Sequence, residues 1–116
     1  MDKWKKIRLE LARSEGFPGG SVSRGFLILL PLDGEGQIDR ALFSLKPHQA
    51  TVRRYWSTEP DEAGNVVPIE SGWALRCNGG PDRLLLLGGQ PIRLGDQVSV
   101  LEPDGGVLPF TVASIR

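Results

Sequence analysis

The sequence has 116 residues but only one cysteine, Cys77, and one histidine, His48. A single cysteine excludes an internal disulfide framework and a cysteine-cluster zinc site. A single histidine argues against a histidine-based zinc site and against a Ser/His triad. We therefore predict no metal site, no cofactor and no catalytic residue, and we expect Cys77 to pack as a small apolar side chain.

Long apolar runs are also missing. The longest, Phe26 to Leu32, has seven residues and contains Pro31, whereas a membrane helix needs about 20 apolar residues. The first residues, Met1 to Lys6, lead into alternating charge and not into the apolar core of a signal peptide. The sequence therefore predicts a cytoplasmic protein without a membrane partner.

The chain has no excess of charge of either sign. Its 14 Lys and Arg balance 14 Asp and Glu, which does not indicate a strongly basic nucleic-acid binder. The signs are unevenly placed, since residues 1–58 hold ten basic and six acidic side chains and residues 59–116 hold four and eight. We expect the halves to interleave in a small barrel and to neutralise each other; the alternative is a basic face. That face would include Lys3, Lys5, Lys6, Arg53 and Arg54.

Glycine and proline are abundant, with 15 Gly and 9 Pro spread along the chain. Beyond Gly16, the longest stretch free of both is the twelve residues from His48 to Glu59. Because both residues disfavour helix interiors, long helices are excluded and short strands joined by turns remain. We predict a single all-β domain over residues 1–116, a small barrel or rolled antiparallel sheet of six to eight strands with one short helix.

Residue periodicity predicts the individual strands. Ile7, Leu9 and Leu11 occupy alternate positions, which indicates a half-buried strand, with a helix that includes Trp4 as the alternative. The apolar run Phe26–Leu30 indicates a strand buried on both faces. Further strands are expected at Thr51–Ser57, Trp73–Cys77, Leu84–Leu87, Val98–Val100 and Val107–Ile115, with Trp73, Leu75 and Val100 in the core.

One short helix and several turns complete the pattern. The apolar residues of the helix recur at helical spacing: Ile38, Ala41, Leu42 and Leu45. Asp39 is placed to cap the helix, and Pro47 ends it. Turns are predicted at Asp33-Gly34, Asn78-Gly79-Gly80, Gly88-Gly89, Gly95-Asp96 and Asp104-Gly105-Gly106. Tight turns of this kind place residues at positive φ, which we expect at Gly34, Gly95 and Gly105.

Three segments match known binding motifs only in part. Gly34–Asp39 follows an apolar strand as a dinucleotide fingerprint does, but Asp39 replaces its third glycine, so we predict a turn and a helix cap. Glu59–Glu70 has calcium-loop spacing, but Ala63 stands where an oxygen ligand is needed, so we predict an acidic, solvated hairpin loop. Gly16–Arg24 is predicted to be a loop between strands, with an anion-binding nest as the alternative.

The stretch Arg53-Arg54-Tyr55-Trp56 supplies the candidate binding residues. Because neighbouring strand residues face opposite sides, each face of this strand carries one arginine. A buried arginine needs a partner, so we predict one buried, paired arginine and one exposed arginine. Arg54 is expected to be the buried one, since Val52 and Trp56 flank it on the same face. Arg53 and Tyr55 then form the candidate contact pair, of a kind that nucleic-acid platforms and protein interfaces both use.

Several segments resemble a family of small, uncharacterised bacterial proteins. They are Trp4–Arg13, Phe17–Ser21, Leu30–Asp33, Thr51–Trp56, Glu59–Glu62 and Gly72–Ala74. The resemblance implies a bacterial, cytosolic, all-β protein. It assigns no catalytic residue, because no activity is established for that family.

These observations favour a small binding or protein-interaction module, with an unknown protein partner or a homo-oligomer as its context. A single-stranded nucleic-acid-binding β-barrel is the alternative, because arginine beside aromatic residues also suits stacked bases. A small enzyme without a cofactor is the third hypothesis, since the acidic residues could be paired in space without being paired in sequence.

Overall fold

The computed structural model describes residues 3–77 and 84–116, whose strands form one closed antiparallel barrel. The strands are β1 (Trp4–Leu11), β2 (Ser21–Pro31), β3 (Thr51–Trp56), β4 (Glu59–Ile69), β5 (Gly72–Cys77), β6 (Leu84–Leu87), β7 (Gln97–Leu101) and β8 (Val107–Ile115). Between β2 and β3 lie the helix α1 (Arg40–Leu45) and a 3₁₀ turn, Pro47–Gln49. The predicted all-β barrel with one short helix is confirmed.

The strands follow one another around the barrel in sequence order, and β1 pairs with β8 to close it. Strands β1 to β3 therefore lie side by side on one wall, and β4 to β8 complete the other. The expected interleaving of the basic and acidic halves is wrong, because a meander keeps each half contiguous. Charges meet across the β3–β4 hairpin, where Arg53 lies 3.9 Å from Asp61 and Arg54 lies 3.1 Å from Glu59.

The interior is filled by alternate residues of the strands. Ile7, Leu9 and Leu11 are all buried, which confirms β1 as a strand and excludes the helical alternative. Across the barrel, the rings of Phe26 and Phe110 pack edge to face with centroids 5.1 Å apart. The other buried apolar residues on the strands include Ile28, Leu30, Val52, Val66, Leu75, Cys77, Leu85, Val98, Val100 and Val112.

The prediction that Phe26–Leu30 is buried on both faces is wrong. Leu27 is 41% exposed, while Phe26 and Ile28 beside it are buried. The strand pairs with a neighbour on each edge, but a barrel buries only the inward face of a strand. A continuous apolar run therefore leaves leucine side chains on the outer surface.

Helix α1 begins as predicted but buries a different residue. The Asp39 carboxylate accepts a hydrogen bond from the Leu42 N–H at 3.1 Å, which confirms the cap. The predicted apolar stripe is wrong, because Leu45 is 75% exposed and Phe43 is the buried residue. Phe43 contacts the Trp73 ring with centroids 4.8 Å apart, so α1 covers one end of the barrel. Trp73 is half-buried there and packs against the core, while Leu75 and Val100 lie fully within it.

The segment Glu59–Glu70, predicted to be a solvated loop, is instead strand β4. The turn of this hairpin lies at residues 57–58, so the chain re-enters the sheet before the acidic residues. Val66 faces the core and is 1% exposed. Glu62 of β4 lies opposite Arg54 of β3, whereas Arg53 lies opposite Ala63 and pairs diagonally with Asp61. These ion pairs allow a charged segment to form a strand.

The glycine turns are confirmed in part. Gly95 and Gly105 have φ of +85° and +92°, as predicted. In the turn after β2, Gly36 adopts the positive φ, at +82°, and Gly34 does not. The Asp33 carboxylate accepts the N–H groups of residues 35 and 37, which sets this wider turn. Positive φ does not occur at Gly88 or Gly89, and the Asn78-Gly79-Gly80 turn lies outside the described residues.

We expect Gly105→Val to lower the stability of the barrel by about 1–2 kcal/mol, because a β-branched residue is strained at positive φ. A Cβ at Gly105 would meet no other atom within 4 Å, so the cost comes from the backbone alone. Gln97→Val, at an exposed strand position, is the matched control and should change stability by less than about 0.5 kcal/mol. Urea unfolding of both variants measures the difference; equal losses would contradict the turn assignment.

Candidate functional site

The side chains of the four predicted residues, Arg53 to Trp56, lie on opposite faces of strand β3. Val52 is 2% exposed and marks the inner face, which Arg54 and Trp56 share by alternation. Arg53 and Tyr55 lie on the outer face. The two pairs therefore belong to different parts of the molecule and do not form one site.

Arg54 is the enclosed arginine, as predicted. Its side chain is 12% exposed, and Nη1 donates hydrogen bonds to Glu59 at 3.1 Å and to Glu62 at 3.4 Å. Its guanidinium also lies 4.4 Å from the centroid of the Trp56 ring. Arg53 is the exposed arginine, with 61% of its side chain accessible and a carboxylate oxygen of Asp61 3.9 Å away.

Arg54 and Trp56 help to close the end of the barrel opposite α1. The Trp56 ring meets Phe17 edge to face with centroids 6.4 Å apart. Arg24 packs on both rings, 4.8 Å from the Phe17 centroid and 5.8 Å from that of Trp56. The Gly20 N–H donates to the Phe17 carbonyl, and Arg24 is directed at the rings. Arg24 Nη1 donates to Ser21 Oγ at 3.1 Å, while its Nε is buried without a hydrogen-bond partner among the described residues. The predicted loop Gly16–Arg24 is wrong in its second half, because residues 21–24 belong to strand β2.

Tyr55 is packed against the barrel wall. Its hydroxyl donates to the Leu9 carbonyl at 3.3 Å, and Arg8 lies 4.8 Å from the ring centroid. Gly25 on β2 leaves room for the Tyr55 side chain, since a Cβ at Gly25 would lie 2.7 Å from the Tyr55 hydroxyl. Burial raises the pKa of Tyr55, while the positive charge of Arg8 acts in the opposite direction.

A groove of about 700 Å³ runs over the outer face of β1 to β4 beside Arg53. Its floor is apolar and includes Leu27 and Leu29 of β2. The strand register places Leu27 directly between Arg8 on β1 and Arg53 on β3. An exposed leucine thus has a guanidinium-bearing neighbour on each side.

The groove is basic. Its cationic lining residues are Lys6, Arg8, Arg53 and Arg116, and no Asp or Glu is among the described residues that line it. Outside the lining, Glu10 accepts a hydrogen bond from Arg8 Nε at 2.8 Å, which raises the pKa of Arg8. The sequence pointed to Arg53 but missed Leu27 and Arg8. The apolar run Phe26–Leu30 is the signal that could have located the groove. If one face of that strand had been predicted to be exposed, Leu27 and Leu29 would have marked an apolar outer surface.

Neither histidine nor cysteine joins this groove. Cys77 faces the core and is 2% exposed, and His48 lies in the 3₁₀ turn after α1. Among residues 3–77 and 84–116, no group of three or more His, Cys, Asp or Glu could hold a metal ion. The described residues also form no helix with the length and apolarity needed to cross a membrane.

Comparisons of the chain with protein-family models, curated proteins and solved structures found no match. The bacterial family resemblance stays a prediction. The chemistry of the groove and of the barrel ends therefore carries the functional interpretation.

The two arginines of β3 should contribute unequally to stability. Arg54→Ala removes an enclosed guanidinium that bonds to two carboxylates, Glu59 and Glu62. We expect a loss of at least about 2 kcal/mol, toward the 3–5 kcal/mol seen for broken buried pairs. Arg53→Ala removes an exposed pair and should cost under about 1 kcal/mol. Thermal and urea unfolding of both variants test this; equal losses would show that β3 is not packed on one face.

Tyr55 is the only tyrosine in the chain, so phenolate absorbance reports its ionisation alone. We expect a pKa above the ordinary value of 10.0, because burial disfavours the phenolate. Arg8→Gln should raise it further, since it removes a favourable charge. The stability from the buried neutral phenol is complete below the unfolded pKa and is lost as pH rises through the folded pKa. Titration of native and urea-unfolded protein measures the shift; a native pKa at or below the unfolded one would contradict it.

Proposed function

We propose that this protein is a protein-interaction module whose outer groove binds an acidic, partly apolar segment of a partner protein. The observation that carries the proposal is the position of Leu27. It is 41% exposed, and in the strand register it lies between Arg8 and Arg53. Leu27 and Leu29 together line the groove, and a contiguous apolar surface with a polar rim is typical of an interaction site.

The apolar floor and the basic side chains of the groove indicate the chemistry of its partner. Burial of apolar side chains against Leu27 and Leu29 provides favourable free energy, at about 25 cal/mol per Å² of apolar area. Of the four cations of the lining, Arg8 and Arg53 already pair with Glu10 and Asp61. Lys6 and Arg116 are therefore the ones that would attract carboxylates on the partner and disfavour basic segments. Strand addition is not the mode of binding, because each described strand already pairs with two neighbours and leaves no free edge. Recognition therefore depends on side chains.

Protein is favoured over single-stranded nucleic acid by the nature of the floor. Nucleic-acid grooves of this kind present aromatic faces on which bases stack. The described lining of this groove contains leucine, alanine and threonine but no aromatic residue, and the nearby Tyr55 ring contacts Arg8. We place the interaction in the cytoplasm, as the sequence predicts.

Fluorescence anisotropy with a labelled peptide of alternating Glu and Leu tests the proposal. We expect saturable, salt-sensitive binding with a Kd of roughly 10–100 μM, as for a small transient interface. Leu27→Glu should weaken binding at least about tenfold through charge repulsion and loss of apolar contact. Leu45→Glu is the matched control, because Leu45 is 75% exposed on α1 and lies outside the groove; it should bind like the unchanged protein.

Three outcomes would contradict the proposal. A peptide of alternating Lys and Leu that binds as tightly would remove the role of the cations. A labelled oligothymidylate that binds while the acidic peptide does not would favour the nucleic-acid alternative. Sedimentation equilibrium that shows a dimer lost in Leu27→Glu would assign the groove to a second copy of this chain.

A further inference from the structure

A second concave site lies at the end of the barrel that α1 covers. It has a volume of about 270 Å³ and shares no lining residue with the groove. Two glycine-containing segments distant in sequence meet there: the Ile92 N–H donates to the Gly36 carbonyl at 2.8 Å, and Arg93 Nε donates to the Glu35 carbonyl at 3.2 Å. The turn that resembles part of a dinucleotide fingerprint thus forms one wall of this pocket.

The pocket combines an apolar base with a few polar groups. Trp73, Leu87 and Ile92 line the base, and the last two are 9% and 4% exposed. Gly36 also lines the pocket, and glycine is required there because φ is positive and a Cβ would lie 2.8 Å from the Ile92 carbonyl oxygen. The remaining polar lining comes from Gln37, Gln90 and Arg40. The pocket thus offers both apolar and polar surface, and a concave site in which a few polar groups fix the orientation of a ligand against apolar side chains is the usual form of a small-molecule site.

Arg40 indicates the charge of the ligand. Its guanidinium lies 4.9 Å from the centroid of the Trp73 ring, and no carboxylate of the described residues lies within 4.0 Å of it. The adjacent Asp39 is already engaged, since it pairs with Lys3 at 3.5 Å and caps α1. Packing on an aromatic ring orients a guanidinium while its in-plane N–H groups stay available for a carboxylate.

We propose that this pocket binds a small carboxylate with an apolar body. The carboxylate is held by Arg40, and the apolar body rests on Leu87, Ile92 and the edge of Trp73. The volume lies just below the usual range for drug-sized ligands, about 300–1,000 Å³, so the ligand is small. This site is independent of the groove and does not rest on the function proposed for it.

Titration with benzoate and hexanoate, each paired with its neutral amide, tests the proposal. The readout is the Trp73 indole N–H signal in nuclear magnetic resonance spectra, assigned with Trp73→Phe. We expect saturable shifts with at least one carboxylate and at least about tenfold weaker binding of its amide. Arg40→Gln should remove this preference for the charged form.

A variant that blocks the pocket provides the sharpest control. Gly89 lines the pocket, a Cβ there meets no atom within 4 Å, and φ is not positive, so Gly89→Leu should fold with a large side chain at the pocket lining. Gly34→Leu is its matched control, because Gly34 is equally open but does not line the pocket. Binding should be lost in the first variant and kept in the second. Equal binding in both variants, or no saturable shift with either carboxylate, would overturn the proposal.

Discussion

The pairing of the first strand with the last is the constraint on which the structure depends. Lys6 and Arg116 exchange two backbone hydrogen bonds, of 2.7 and 2.9 Å, and Leu9 lies opposite Val112 farther along the same seam. Once this seam is formed, the sheet has an inside and an outside. The inner residues form one core, and the outer residues of β1 to β4 form a continuous surface that includes the groove.

A closed barrel leaves two ends to be covered, and both are covered by arginine packed on aromatic rings. At one end Arg24 and Arg54 contact Trp56. At the other end Arg40 contacts Trp73, which Phe43 of α1 also meets. A guanidinium can cover an aromatic face and still keep polar N–H groups for solvent or a ligand. The first end has acidic partners for Arg54 in Glu59 and Glu62, whereas the second is bordered by the pocket.

The meander also decides where charge accumulates. Because neighbouring strands are neighbours in sequence, the basic first half of the chain forms one continuous wall. The acidic residues of β4 neutralise the arginines of β3 across a single hairpin, through pairs such as Arg53–Asp61. Lys6 and Arg116 lie on the far side of the groove, beyond the reach of those acids. Zero net charge in the sequence is therefore compatible with a locally basic groove.

Local patterns alone determined the strands of alternating residues, the Asp39 cap, the positive φ of Gly95 and Gly105, and the different exposure of Arg53 and Arg54. Each depends on contacts within a few residues or on the alternation of side chains along a strand. Only the tertiary structure decided that Leu27 faces solvent, that the acidic segment after Thr58 is a strand, and that Tyr55 packs over Gly25. These features depend on which strands become neighbours and on closure of the sheet. Both are set by contacts between residues far apart in the chain, which periodicity does not encode.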